Sequence, residues 1–212
     1  MENSLLSGKV KNVRSLSKYL WVAAIFAASL FFANPAQAKV VYTKTDLVLA
    51  GDGQLYLDLN HDGNADFEIS HVSGISKCKD GSTRSWTGVD VYSRNGAIAI
   101  DHNGYASALE SGVVIDSGLT FFGYAANMAF VNGCSPDHPA GNWVQVTDRF
   151  LGLQAKNHYG WIEASNTTSC GYFSCSSVTK ISGFAFETVP GKAIKAGQTQ
   201  DDAEAGFDSV EP

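Results

Sequence analysis

From residue 39 onward, apolar and polar side chains alternate in short runs broken by Gly, Asn, Asp and Ser. Period-two alternation places successive side chains on opposite faces of an extended strand, and the interrupting residues are those that turns favour. The pattern predicts strands at 39–43, 54–59, 67–72, 89–93, 97–101, 119–122, 143–155, 159–164 and 178–188. Turn signals fall at Gly51-Asp52-Gly53, Asp62-Gly63-Asn64, Asn95-Gly96, Asn103-Gly104 and Asn132-Gly133. Arg94-Asn95-Gly96-Ala97 reads as a two-residue hairpin connection. Residues 124–131 suit a short helix or a strand equally. No window shows the sustained apolar stripe of a helix, and a parallel sheet needs crossover helices. The expected fold is therefore all-β, an antiparallel β-sandwich of jelly-roll-like character, in a single domain over 39–197. Trp143, Phe150, Tyr159, Trp161, Phe184 and Phe186 are its candidate core aromatics. Phe184 and Phe186 share one strand face, and Ala185 and Glu187 take the other.

The first 38 residues read differently. Lys9, Lys11, Arg14 and Lys18 precede an apolar run over 19–33, and Ala36-Gln37-Ala38 follows as a small-x-small cleavage pattern. This is the three-part architecture of a signal peptide, so residues 1–38 are expected to be removed on export. The alternative is a membrane anchor. A run of about 15 residues is short of the roughly 20 that a bilayer requires, so no stable anchor is expected after cleavage. Residues 198–212 are acidic and read as a flexible tail.

Cys78, Cys134, Cys170 and Cys175 all follow the leader. An even count in an exported chain reads as two disulfides, for which three pairings exist. Cys170 and Cys175 enclose only four residues, so a bridge across a hairpin tip is the simplest choice, leaving Cys78 for Cys134. Structural zinc is the alternative, disfavoured because Cys78 and Cys134 have no close cysteine partner. Charged residues make up 17% of the chain and hydrophobic ones 44%, a balance that supports a packed core rather than disorder. Four of the 15 basic residues and one of the 21 acidic ones precede residue 39, leaving 11 against 20, a net of −9. Such a surface repels phosphate backbones and anionic membranes, so no nucleic-acid partner is expected.

One segment carries chemistry. In residues 58–66, Asp58, Asn60, Asp62, Asn64 and Asp66 alternate, with Gly63 in sixth place. Ca²⁺ takes six to eight hard oxygen ligands, and a loop of this spacing can wrap them around one centre. Asp58, Asn60 and Asp62 would offer side-chain oxygens, Asn64 its backbone carbonyl, and Asp66 would close the site directly or through water. The twelfth position is Ile69 rather than the bidentate Glu of a helical EF-hand, with Glu68 one place away. The flanks alternate as strands, so the loop resembles the D-x-[DN]-x-D-G-x-x-D loops of FG-GAP and thrombospondin type 3 repeats, present here once. A polar hairpin turn is the competing reading, but it requires neither the strict alternation nor five oxygen-bearing side chains. One structural Ca²⁺ is expected.

Other residues argue less. His61, His71, His102, His138 and His158 are scattered and read as surface or turn histidines, with His61 pointing away from the loop. No G-x-S-x-G nucleophile context occurs. Glu163 and Glu187, on the late strands, are the paired-carboxylate candidates for a glycosidase if they share a sheet face, and two solvent-facing side chains on alternate positions are the competing reading. Trp86, Tyr92 and Tyr105 could form a sugar-stacking platform or be buried edge residues. Asn166-Thr167-Thr168 fits the glycosylation acceptor pattern. No catalytic residue is assigned.

The C-terminal half is more specific. Phe150-Leu151-Gly152, His158-Tyr159-Gly160-Trp161 and Gly183-Phe184-Ala185-Phe186-Glu187-Thr188, followed by Pro190-Gly191, Ile194 and Ala196-Gly197, form a phrase over about a quarter of the chain. It resembles a group of secreted bacterial β-rich proteins, many of which carry a PEP-CTERM sorting tail. This chain ends Gly-Phe-Asp-Ser-Val-Glu-Pro without one, so anchoring by that route is not expected. The resemblance implies a secreted β-rich domain and no activity. The combined expectation is a secreted or periplasmic, non-catalytic β-sandwich with a structural Ca²⁺ loop. Its partners would be extracellular polysaccharide or envelope components. The alternative is a carbohydrate-binding or carbohydrate-active domain.

Overall fold

The computed structural model describes residues 39–171 and 174–201; the expected leader and residues 202–212 of the expected tail lie outside the described residues. Twelve strands are formed among them: β1 (Val40–Ala50), β2 (Gly53–Leu57), β3 (Phe67–Lys77), β4 (Thr83–Ser93), β5 (Gly96–Ala99), β6 (Val114–Ile115), β7 (Phe121–Phe122), β8 (Ala125–Asn132), β9 (Gln145–Ala155), β10 (His158–Cys170), β11 (Cys175–Glu187) and β12 (Ile194–Lys195). Residues 125–132, equally suited to helix or strand by sequence, are strand. A six-stranded sheet has the order β1-β11-β10-β9-β5-β7, a four-stranded sheet β2-β3-β4-β8, and β12 pairs with β6. All pairings are antiparallel. The protein is an all-β sandwich in which β2-β3-β4 and β9-β10-β11 run as meanders.

Period-two alternation gives the six-stranded sheet two buried faces. Leu151, Leu153, Ile162, Ile181, Phe184 and Phe186 pack against Leu57, Phe67, Ile69, Val89 and Met128 of the other sheet. On the opposite face, Phe150, Tyr159, Trp161 and Ala185 form a second cluster with Ile115, Ile194 and Ala196 from the β6 and β12 region. Phe184 and Ala185 thus serve different cores, as their alternation requires. The Trp161 indole N–H donates to Gln198 O at 3.2 Å, and Asp201 Oδ1 accepts from Val40 N–H at 3.1 Å. The first residues of the expected tail are thereby held on the fold.

The inter-sheet layer turns polar toward the cysteine end. Thr179 Oγ1 donates to Asn166 Oδ1 at 2.7 Å, Asn166 Nδ2 donates to Thr168 Oγ1, and Thr168 and Ser177 hydroxyls lie 2.7 Å apart. His71 Nε2 meets Thr179 Oγ1 at 2.8 Å, and its Nδ1 lies 3.2 Å from Gly51 O. His71 is 3% exposed and Asn166 1%. The burial of His71 corrects an expectation, since it is an inter-sheet residue rather than a surface or turn one, and Asn166, which only matches the acceptor pattern, is inaccessible once the sheets have closed. Polar residues here satisfy one another, which is what burial demands of them.

Both expected disulfides are formed. Cys78–Cys134 joins the β3–β4 tip to the end of β8, and Cys170–Cys175 closes the β10–β11 hairpin at a register pair. The expected Asn95-Gly96 hairpin is not formed. β4 and β5 belong to different sheets, so this segment crosses between them. A two-residue type I′ turn needs positive φ at both central residues, and neither Asn95 nor Gly96 has it. Arg94 N–H instead donates to Asp66 O, and the Ser93 hydroxyl accepts from Gly96 N–H.

Candidate metal centre

The 58–66 loop joins β2 to β3 and is organised by its own carboxylates. Asp66 N–H donates to Leu57 O at 2.9 Å, closing the base just before β3 begins. Asp58 Oδ1 accepts from Asp62 N–H at 3.1 Å, and Oδ2 from Gly63 N–H at 2.7 Å. Asn60 Oδ1 also accepts from Asp62 N–H, and Asp62 Oδ1 accepts from Asn64 N–H, each at 2.9 Å. Gly63 has φ +87°, which an L side chain rarely adopts, and this explains its place in the motif. A carboxylate oxygen carries two lone-pair directions, so one backbone N–H leaves room for a further donor or an ion.

Asp66 forms the floor. It is fully buried. Its Oδ2 accepts from Leu59 N–H at 3.0 Å, while its Oδ1 has no hydrogen-bond partner among the described residues. Burial pushes the Asp66 carboxyl above the ordinary carboxylate range. The Leu59 and Asn60 N–H groups act against that shift, and the charges of Asp62 and Asp58 add to it. A buried carboxylate beside two like charges is unfavourable until a cation compensates it.

Among the described residues, one cation reaches the loop. β9 and β10 are joined at Lys156-Asn157, with φ +46° and +69°. Two successive left-handed residues make the tight turn that matches strand twist. The turn projects Lys156, whose Nζ donates to Asp62 Oδ2 at 2.6 Å. The lysine holds the Asp62 carboxyl down at about 2, and Asp62 in turn, with smaller contributions from Asp66 and Asp58, keeps Lys156 charged. His61, in the left-handed region at φ +58°, turns back toward the six-stranded sheet. Its Nε2 lies 2.8 Å from Thr43 Oγ1 and its ring 5.9 Å from the Phe184 ring. It stays solvent-exposed, but it tethers the loop to β1 and β11.

The five expected ligands therefore lie on one loop, with Asp58, Asn60 and Asp62 turned to their own backbone, Asn64 exposed and Asp66 beneath them. In this arrangement no three acidic, His or Cys side chains among the described residues converge closely enough to grip an ion. The donor set nonetheless suits Ca²⁺, being all oxygen and part amide. Lys156 is the participant that sequence reasoning missed. Lys-Asn between two alternating strands is a turn signal, but its target 94 residues away has no sequence trace.

The alternative site is not assembled. Glu163 and Glu187 occupy the same face of the six-stranded sheet, but Glu163 pairs with Gly183. Four residues of strand then separate it from Glu187, roughly 13 Å. Glycosidase pairs stand about 5–9.5 Å apart. Glu187 is also fully buried rather than solvent-facing, with Lys192 Nζ 2.8 Å from its Oε2. Trp86 and Tyr92 share the outer face of β4, and Tyr105 sits in the 101–106 loop instead. Comparison with protein-family models, with curated proteins and with solved structures finds no match to this chain.

Proposed function

We propose that this protein is a secreted, disulfide-stapled, non-catalytic β-sandwich whose 58–66 loop binds one structural Ca²⁺. Its role is one of binding or architecture outside the cytoplasm. The observation that carries the reading is Asp66. It is a fully buried carboxylate with one oxygen unpartnered among the described residues, lying under two further carboxylates that order the loop. Asp58, Asp62 and Asp66 would supply anionic oxygens, and Asn60 and Asn64 neutral ones. The ion would join the end of β2 to the start of β3, where Lys156 already brings in the second sheet. The two disulfides accord with an oxidising compartment and support the export reading of residues 1–38. The sorting-tail family remains a proposed relationship, resting on the phrase from Phe150 to Gly197.

Calorimetric titration of the purified protein with Ca²⁺ tests the reading. One site per chain is expected, lost in Asp66→Asn and weakened in Asp58→Asn. No heat of binding in the parent protein at millimolar Ca²⁺ would contradict it.

A further inference from the structure

The far end of β3 carries a second feature. Its 11 residues place the β3–β4 tip roughly 33 Å from the acidic loop. There the tip and the end of β8 enclose a cavity of about 450 Å³ whose wall includes the Cys78–Cys134 disulfide. Lys77, Lys79 and Arg84 line it against one carboxylate, Asp80. Asp80 accepts the N–H and the hydroxyl of Ser82 at 2.9 and 2.6 Å and is also under the charge of Arg84, which leaves Lys77 and Lys79 as the excess cations. Lys77 and Lys79 have no ion-pair partner among the described residues. In a chain with 11 cations against 20 acids after residue 38, three cations on one cavity are a marked local reversal of charge.

An aromatic surface adjoins this cavity. Ser76 pairs with Arg84, and the next same-face pair is Gly74 with Trp86. A Cβ on Gly74 would lie 2.7, 2.8 and 2.9 Å from three indole atoms. The indole therefore packs directly against the Gly74 backbone, and Trp86 stays partly exposed. Phe130 flanks it at 5.8 Å. Further along the same face the next charged residue is the half-buried Asp90, a carboxyl that accepts from Asn127 Nδ2, so cations for an anionic ligand stand only at the cavity end of this face.

We propose that the Lys77, Lys79 and Arg84 cavity and the Trp86 indole form one binding site for a uronate-bearing oligosaccharide. The apolar C–H face of a sugar ring stacks on the indole, and its carboxylate enters the cation-lined cavity. An extended polyanion suits the site less, because the surrounding net charge repels it while one carboxylate requires only local cations. This site stands apart from the calcium reading and does not rest on it.

The test is calorimetric titration of the purified protein, in chelator, with an oligogalacturonate, its methyl ester and inorganic phosphate. The oligogalacturonate should bind, and the affinity should fall as salt rises. Paired Lys77→Glu and Lys79→Glu substitutions should weaken binding at least tenfold. Trp86→Ala should weaken it at least fivefold, with Trp86→Phe recovering part of the loss and circular dichroism verifying the fold. No binding by the parent protein overturns the proposal. Equal binding of the methyl ester overturns its anionic part. Phosphate binding that Trp86→Ala leaves unchanged reduces the site to a simple anion pocket and overturns the sugar. Because chelator is present throughout, failure here leaves the calcium reading untouched.

Discussion

Lys156 and Asp62 are 94 residues apart in the chain and 2.6 Å apart in the fold. Their ion pair ties the β9–β10 turn of one sheet to the β2–β3 loop of the other. An ion entering the loop competes with the lysine for Asp62. Lys156→Gln is therefore expected to tighten Ca²⁺ binding roughly two- to fivefold, the range an exposed ion pair supports. Titration calorimetry on both proteins measures this. Weaker binding in the variant would mean that the lysine organises the site rather than opposing the ion.

Gly160 couples the two sheets by its lack of a side chain. A Cβ there would lie 2.6 Å from Ala185 O and 2.9 Å from Leu59 Cδ2. Backbone on one side and a fully buried leucine on the other leave little room to yield. Gly160→Ala should cost about 1–3 kcal/mol, read from urea unfolding.

The two disulfides should differ in effect. Cys78–Cys134 spans 56 residues and Cys170–Cys175 spans five. Loop-closure entropy gives about 4 kcal/mol for the first and about 2 kcal/mol for the second. Paired Cys→Ser variants compared by urea unfolding should preserve that order.

His71 should impose an acid limit on stability. Burial disfavours its imidazolium and lowers its pKa below 6.5, against opposing contributions from Gly51 O and the nearby Asp52 charge. The unfolded chain takes up the proton more readily than the folded one. Stability from this group is thus complete above about pH 6.5 and is lost as pH falls below it. In chelator, His71→Gln should show a smaller loss of stability between pH 7.5 and pH 5 than the parent protein.

The strand pattern was legible because period-two alternation is local, and both disulfides followed from the five-residue spacing of Cys170 and Cys175. The Asn95-Gly96 error has a long-range cause. The dipeptide suits a hairpin, but Asp66 O captures Arg94 N–H, and β5 joins β9 instead of β4. His71 read as a surface or turn residue because its satisfaction depends on Thr179, 108 residues away. The five loop residues were readable from spacing and Gly63. The burial of Asp66 and the approach of Lys156 required the closed sandwich.

The central claim is tested most directly by melting the purified protein in Ca²⁺ and in chelator, alongside Asp62→Ala. At Ca²⁺ a hundredfold above its dissociation constant, binding to the native state adds about 2.7 kcal/mol. For a chain of this size that corresponds to a rise of about 5–10 °C. The rise should be reduced or absent in Asp62→Ala. Identical melting of the parent protein in saturating Ca²⁺ and in chelator would make residues 58–66 a polar turn and contradict the account.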